Sequence, residues 1–164
     1  IGAGSPAGIA AAAANGFNLL LDQLASFEAS GARIAAFHAA AAACGRTVRP
    51  HSIGLVRGLH IAMNAREREE AHRQRAEFLL GVQALAGGAA SSLALPTSFE
   101  DTRAASERAA LIGPPDEIVE RLKTLEAMGA DYVLLLDVSG SREALRTFAR
   151  EVMPTFAETA PKSA

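Results

Sequence analysis

Cysteine is nearly absent. Cys44 is the only one in 164 residues, so neither a disulfide frame nor a cysteine zinc cluster can form within the chain. Charge excess is also lacking: the formal net charge of −2 argues against a nucleic-acid-binding stripe, because phosphate contacts need clustered Lys and Arg. No apolar run reaches the roughly 18–20 residues that span a bilayer, and the Ala-rich start carries no basic leader of a signal peptide. The expectation is a cytoplasmic protein with no nucleic-acid, membrane or metal partner. An initiator Met is missing as well. The chain is therefore expected to start inside a larger unit, just after a buried strand that ends at Ile1 and Gly2.

What is present is apolar and small. The hydrophobic fraction is 49%, ample for a core, and much of it is Ala, which favours helices and close helix–sheet packing. The recurring unit is helix, glycine stop, short apolar strand, acidic end. A helix over 10–15 is stopped by Gly16 and followed by the strand Phe17-Asn18-Leu19-Leu20-Leu21-Asp22. Near the C-terminus, Ile118, Val119, Leu122, Leu125 and Met128 make one helical face, Gly129 stops it, and Tyr132-Val133-Leu134-Leu135-Leu136-Asp137 follows. Near-continuous apolar strands of this kind belong to parallel sheets covered by helices. Between these units a helix is expected over 32–43 and a strand over 53–62.

Asn64-Ala65-Arg66-Glu67 has capping-box spacing. It starts a charged helix with Arg66–Glu70 and Glu69–Arg73 at i,i+4, read as a solvated face. From 86 to 107 the composition turns to Gly, Ser, Ala and Thr without clear period, as in a long mobile excursion. Ser141 is expected to cap the last helix, with Leu145, Phe148, Ala149 and Val152 inward and Pro154 at its end. The predicted order is (β)αβαβα–loop–αβα, an α/β fold.

The opening Ile1-Gly2-Ala3-Gly4-Ser5-Pro6-Ala7-Gly8 leads straight into the first helix, so backbone N–H groups converge at its positive end, which suits a phosphate. Two other readings stand beside this one. Gly2-x-Gly4-x-x-Ala7 with Asp22 about 20 residues on matches a nicotinamide dinucleotide (NAD(P)) fingerprint. The turn is also accounted for as plain structure, with Pro6 in the first helical turn.

Taken whole, the chain resembles the C-terminal half of the luciferase-like, flavin-dependent monooxygenases, a TIM-barrel family. The resemblance is carried by Gly4-Ser5-Pro6, Gly16-Phe17-Asn18-Leu19-Leu20-Leu21-Asp22-Gln23, Cys44-Gly45-Arg46 and Arg57-Gly58-Leu59-His60-Ile61-Ala62. It continues through Ile112-Gly113-Pro114-Pro115-Asp116-Glu117, Gly129-Ala130-Asp131-Tyr132 and Glu151-Val152-Met153-Pro154. It implies half of a (β/α)8 barrel over 1–158, from the end of strand five through strand eight, with an insertion at about 86–107 and a disordered tail at 159–164.

It further implies reduced FMN, or a deazaflavin in some members, bound by its phosphate at Gly4, Ser5 and Gly8. Many relatives carry a hydroxyl residue where this chain has Gly8. The implied chemistry is oxidation of a small organic substrate with O2, served by a separate flavin reductase. The catalytic residues are then expected outside this chain, and none of His38, His51, His60 or His72 takes that role; His38 and His72 are expected at the surface. A non-catalytic flavin-binding remnant is the alternative from another class.

Barrel active sites lie at the C-terminal ends of strands, which places Asp22, Gln23 and Asp137 near the rim. Arg57 shares a period-2 face with Ile53, Leu55, Leu59 and Ile61. A guanidinium among apolar neighbours needs a partner, either an acid or an anionic substrate or flavin group. Half a barrel leaves strand edges open, so self-association is expected.

Overall fold

The computed structural model describes residues 1–86, 102–137 and 139–157. Helix α1 (Pro6–Ala14) is capped by Ser5, whose hydroxyl accepts from the Gly8 amide, and Pro6 occupies the first turn, where a missing N–H costs nothing. The helix stops at Gly16, whose left-handed φ of 70° lets Phe17 N donate back to Ala12 O and turns the chain into β1 (Leu19–Leu21). Helix α2 (Phe27–Ala43) starts earlier than expected, because Ser26 caps it and Ser30 and Phe27 belong to its buried face. Strand β2 (Ile53–Ile61) follows, then α3 (Ala65–Ala86).

Part of the segment expected as a long mobile excursion, 86–107, is helical. Residues 87–101 lie outside the described residues, as does the expected tail, but Thr102–Ala109 is helix α4. Its inward side is Ser106 and Ala109, too small and polar to show as a hydrophobic period. Strand β3 (Leu111–Gly113) was also not expected; three residues carry no readable periodicity, and its place is set by pairing with the end of β2. Then come α5 (Pro115–Ala127), β4 (Tyr132–Asp137) and α6 (Arg142–Thr147), capped by Ser141 as expected. A π-helical turn (Phe148–Val152) and α7 (Pro154–Ala157) complete the described chain. Of the inward face expected there, Val152 is buried, whereas Leu145 is exposed.

Among the described residues, every pairing between strands β1 to β4 is parallel and runs to β2. Strand β1 pairs with its start, β4 with its middle and β3 with its end. Residues 1–3 extend the sheet beside β1 through the Gly2–Leu20 bridge and the bond from Leu20 N to Ile1 O.

The two faces of this sheet differ. Leu19, Leu21, Ile53, Leu55 and Leu59 point into one core with Ile9, Ile34, Phe37, Ile118, Leu122 and Leu125 of α1, α2 and α5. The other face carries Leu20, Gly54, Val56, Gly58, His60, Tyr132, Leu134 and Leu136 by the period-2 alternation; there Tyr132 and Leu134 are 39% and 47% exposed. A doubly wound dinucleotide sheet has helices on both faces; here α1, α2 and α5 cover one, and on the other α3 reaches only the C-terminal end of β2, where Arg75 lies over Gly58.

The capping box at α3 forms, with Glu67 N donating to Asn64 Oδ1, while the Glu67 carboxylate reaches back to Met63 N. The expected i,i+4 pairs do not form. Arg73 instead pairs with Glu70 and Glu77, and Glu69 pairs with Arg103 of α4, because α4 packs where solvent was expected. For the same reason His72 is not a surface residue: it is 5% exposed, and its Nδ1 lies 2.9 Å from Ser106 Oγ.

Candidate functional site

Because the strands are parallel, their C-terminal ends gather at one rim. The Gly4-Ser5 turn and the Asp22-Gln23 turn after β1 meet there. A Cβ at Gly4 would stand 3.4 Å from Asp22 Oδ2 and 3.6 Å from Arg33 Nη1, so the glycine backbone runs directly against that ion pair. Ser5 is exposed. Its oxygen is taken by Gly8 N at 3.2 Å, which leaves the hydroxyl hydrogen free to donate outward. The Gly8 amide is thus engaged within the turn, while the Ser5 hydroxyl faces solvent at the positive end of α1.

Asp22 organises the adjacent turn. Its Oδ1 accepts from Leu24 N and Ala25 N at 2.7 and 3.1 Å, and its Oδ2 accepts from Arg33 Nη1 at 3.1 Å. Its main-chain carbonyl accepts from Arg57 Nη1 at 2.7 Å. Arg57 is fully buried, on the helix-covered face of β2, and also donates to Val56 O and Ser30 Oγ at 2.8 and 2.5 Å. Its Cζ lies 5.5 Å from the Phe27 ring centroid. Burial pushes its pKa down to about 10, so the guanidinium stays charged at neutral pH. The charges acting on it are Asp22, attractive, and Arg75, Arg33 and Arg121, repulsive. Cations outnumber carboxylates at this turn, and the local field favours an incoming anion.

Gln23 is held from the other side of the sheet. Arg75 of α3 donates Nη1 to Gln23 Oε1 at 3.1 Å and Nη2 to Gln23 O at 2.9 Å. Two guanidiniums thus clamp successive carbonyls of one turn from opposite faces of β2. Asp137 ends β4, and its Oδ1 accepts from both the amide and the hydroxyl of Ser139; its Oδ2 is buried without a partner.

Gly4, Ser5, Gly8 and Asp22 therefore come together, and Gln23 lies beside them. Arg57 stands behind, reaching the rim only through the Asp22 carbonyl. Arg33 and Arg75 were missed from sequence. Arg33 is hidden in an alanine-rich helix whose start was placed too late. Arg75 had a signal: Gly58 inside a strand marks a close approach, and a Cβ there would lie 2.2 Å from Arg75 Nη1.

The luciferase-like monooxygenase family model matches residues 1–132. This chain belongs to that family. No curated protein matches it. Among solved structures, the luciferase-like chain is similar to a monooxygenase from Streptomyces bottropensis, at 24% identity and a TM-score of 0.68 over 94% of this chain and 46% of that one. An F420-dependent secondary alcohol dehydrogenase, bound to an F420–acetone adduct, gives 12% identity and a TM-score of 0.68 over 93% and 47%. The oxygenating constituent of 3,6-diketocamphane monooxygenase from the CAM plasmid of Pseudomonas putida, a type II Baeyer–Villiger monooxygenase in complex with FMN, gives 13% and 0.61 over 90% and 45%. At these identities the likeness is one of fold, and the chain spans about half the length of the structures it matches. Among the described residues, no helix is long and apolar enough to cross a membrane.

Proposed function

We propose that this chain is the phosphate-binding half of a barrel-shaped, FMN-dependent monooxygenase, with residues 1–3 closing strand five and β1, β2 and β4 as strands six to eight. The observation that carries this reading is the unequal cover of the sheet: an all-parallel sheet is normally covered on both faces, and the apolar face around Tyr132 and Leu134, 39% and 47% exposed, with α3 over only the C-terminal end of β2, suits a barrel lumen. Bound at the rim, reduced FMN would supply the electrons with which O2 is activated to oxidise an organic substrate.

The residues at the rim fit the phosphate end of such a group. Gly4 lets the backbone approach closely, the Ser5 hydroxyl donates, and the first turn of α1 adds its dipole. Arg33 supplies charge from beside Asp22 without leaving its own helix. Val56, Leu134 and Leu136 would wall the lumen against water, which favours productive oxidation over loss of activated oxygen to solvent. A flavin reductase and self-association belong to the same proposal.

A second reading keeps this cradle for the deazaflavin F420, with hydride transfer in place of oxygenation. It is favoured by the F420-dependent neighbour, whose TM-score of 0.68 equals that of the Streptomyces monooxygenase.

Titration calorimetry of the full chain with FMN, F420 and NAD tests these readings. FMN binding that inorganic phosphate competes for, and that weakens by about tenfold (about 1.4 kcal/mol) in Ser5→Ala, is expected. Preference for F420 would transfer the proposal to the second reading. Binding of NAD without FMN or F420 would end both.

A further inference from the structure

We propose that Arg75 is a specificity residue that receives a carboxylate of the substrate at the C-terminal end of the sheet face opposite the α1, α2 and α5 core. This rests on the barrel reading above. The Arg75 side chain is 3% exposed and is laid over Gly58, where a Cβ would fall 2.2 Å from Nη1. The missing side chain of Gly58 is what admits the guanidinium, on the face opposite the α1, α2 and α5 core.

Among the described residues, two of its five N–H groups have partners, and both partners are neutral oxygens of Gln23. Nε is buried with none. The other arginines of α3 and α4 whose side-chain contacts are known differ: Arg68, Arg73 and Arg103 each have a carboxylate. The charge that acts between Arg75 and Arg57 is repulsive.

A buried cation without a counter-charge is disfavoured. Neutralisation by deprotonation is not the remedy, since burial lowers the Arg75 pKa only to about 10. The remaining source of negative charge is a ligand that displaces the Gln23 side chain. Gln23 provides the way in. Its side chain is half-buried, and a ligand carboxylate exchanges the neutral Oε1 contact for a charged, two-point one. Nη2 meanwhile stays on the Gln23 carbonyl and keeps the guanidinium in place. Carboxylate is preferred to phosphate here because the Ser5 hydroxyl and Arg33 form a separate cradle on the Asp22 side of the turn.

The test uses the full chain with three probes: benzoate, its neutral isostere benzamide, and FMN. Calorimetry is expected to show benzoate binding at least about tenfold tighter than benzamide, the equivalent of about 1.4 kcal/mol. In Arg75→Gln that preference is expected to vanish while FMN affinity falls by no more than about threefold, less than 1 kcal/mol, because the cradle keeps Ser5 and Arg33. Equal binding of benzoate and benzamide, or a preference that survives in Arg75→Gln, overturns the inference.

Should that variant fail to fold, the Arg75 Nε–H resonance of the unmodified chain decides. It is expected to shift with benzoate and not with benzamide; no shift with benzoate overturns the inference. Absence of FMN binding beside Arg75-dependent benzoate binding sinks the cofactor reading alone. The reverse result sinks this inference alone.

Discussion

Arg57 offers the sharpest test of how the rim is held. Its guanidinium is completely enclosed, with three acceptors at 2.5–2.8 Å and Nε unpartnered. Two replacements separate what these contacts contribute. Arg57→Met keeps most of the volume and removes both the buried charge and its bonds. The relief of the buried charge is offset by the Asp22 carbonyl and Ser30 hydroxyl losing their donor, so a net cost of about 1–3 kcal/mol is expected.

Arg57→Ala removes the volume as well. Met-to-Ala truncations in packed interiors cost about 2–5 kcal/mol, so the alanine variant is expected to unfold that much more easily than the methionine one. The assay is urea denaturation followed by circular dichroism, comparing midpoints at constant m. FMN affinity should stay within about threefold in Arg57→Met, less than 1 kcal/mol, because the side chain reaches the rim only through one carbonyl. If Ala and Met variants unfold together, the residue is not packed as described. If Arg57→Met loses FMN outright with stability intact, Arg57 contacts the ligand directly.

Three further outcomes follow from the same geometry. Asp22→Asn keeps an oxygen for the Leu24 and Ala25 amides but removes the one carboxylate beside the phosphate cradle. FMN should bind severalfold tighter, while stability changes by no more than about 1 kcal/mol for so exposed an ion pair; weaker FMN binding would refute the field argument. Gly58→Ala places a methyl group on the Arg75 guanidinium and should cost about 1–3 kcal/mol by overpacking, relieved when Arg75→Ala is added; denaturation of the single and double variants measures the coupling. His72 is held below the ordinary histidine pKa by burial. Its neutral form is therefore the one the fold prefers, and the stability it contributes is complete above about pH 6.5 and lost as pH falls below that. The slope of stability between about pH 7 and 5 should flatten in His72→Gln, and an unchanged slope would place the pH response elsewhere.

The helix–glycine–strand units were legible in the chain because their signals are local. Gly16 and Gly129 end helices where left-handed backbone is needed, and the Leu-rich strands that follow admit few other readings. That Asp22 lies at the same rim as the Gly4-Ser5 turn was expected through the resemblance to a barrel, whose strand ends gather there. What escaped depends on partners far away in sequence. Strand β3 is too short for a period and exists through β2. His72 looked solvent-facing until α4 covered it, and α4 itself buries only small residues. Arg75 sits in a run of alternating charges, where nothing local distinguishes a clamped guanidinium from a solvated one. Only the glycine it rests on, in another element, gives it away.

The convergence of all pairings on β2 has a kinetic consequence. Each of β1, β3 and β4 can detach while the other two stay joined, but β2 cannot leave without releasing every ladder at once. Local openings should therefore strip the sheet from its periphery inward. The amides of residues 53–61 would be the last to trade their hydrogens for deuterium.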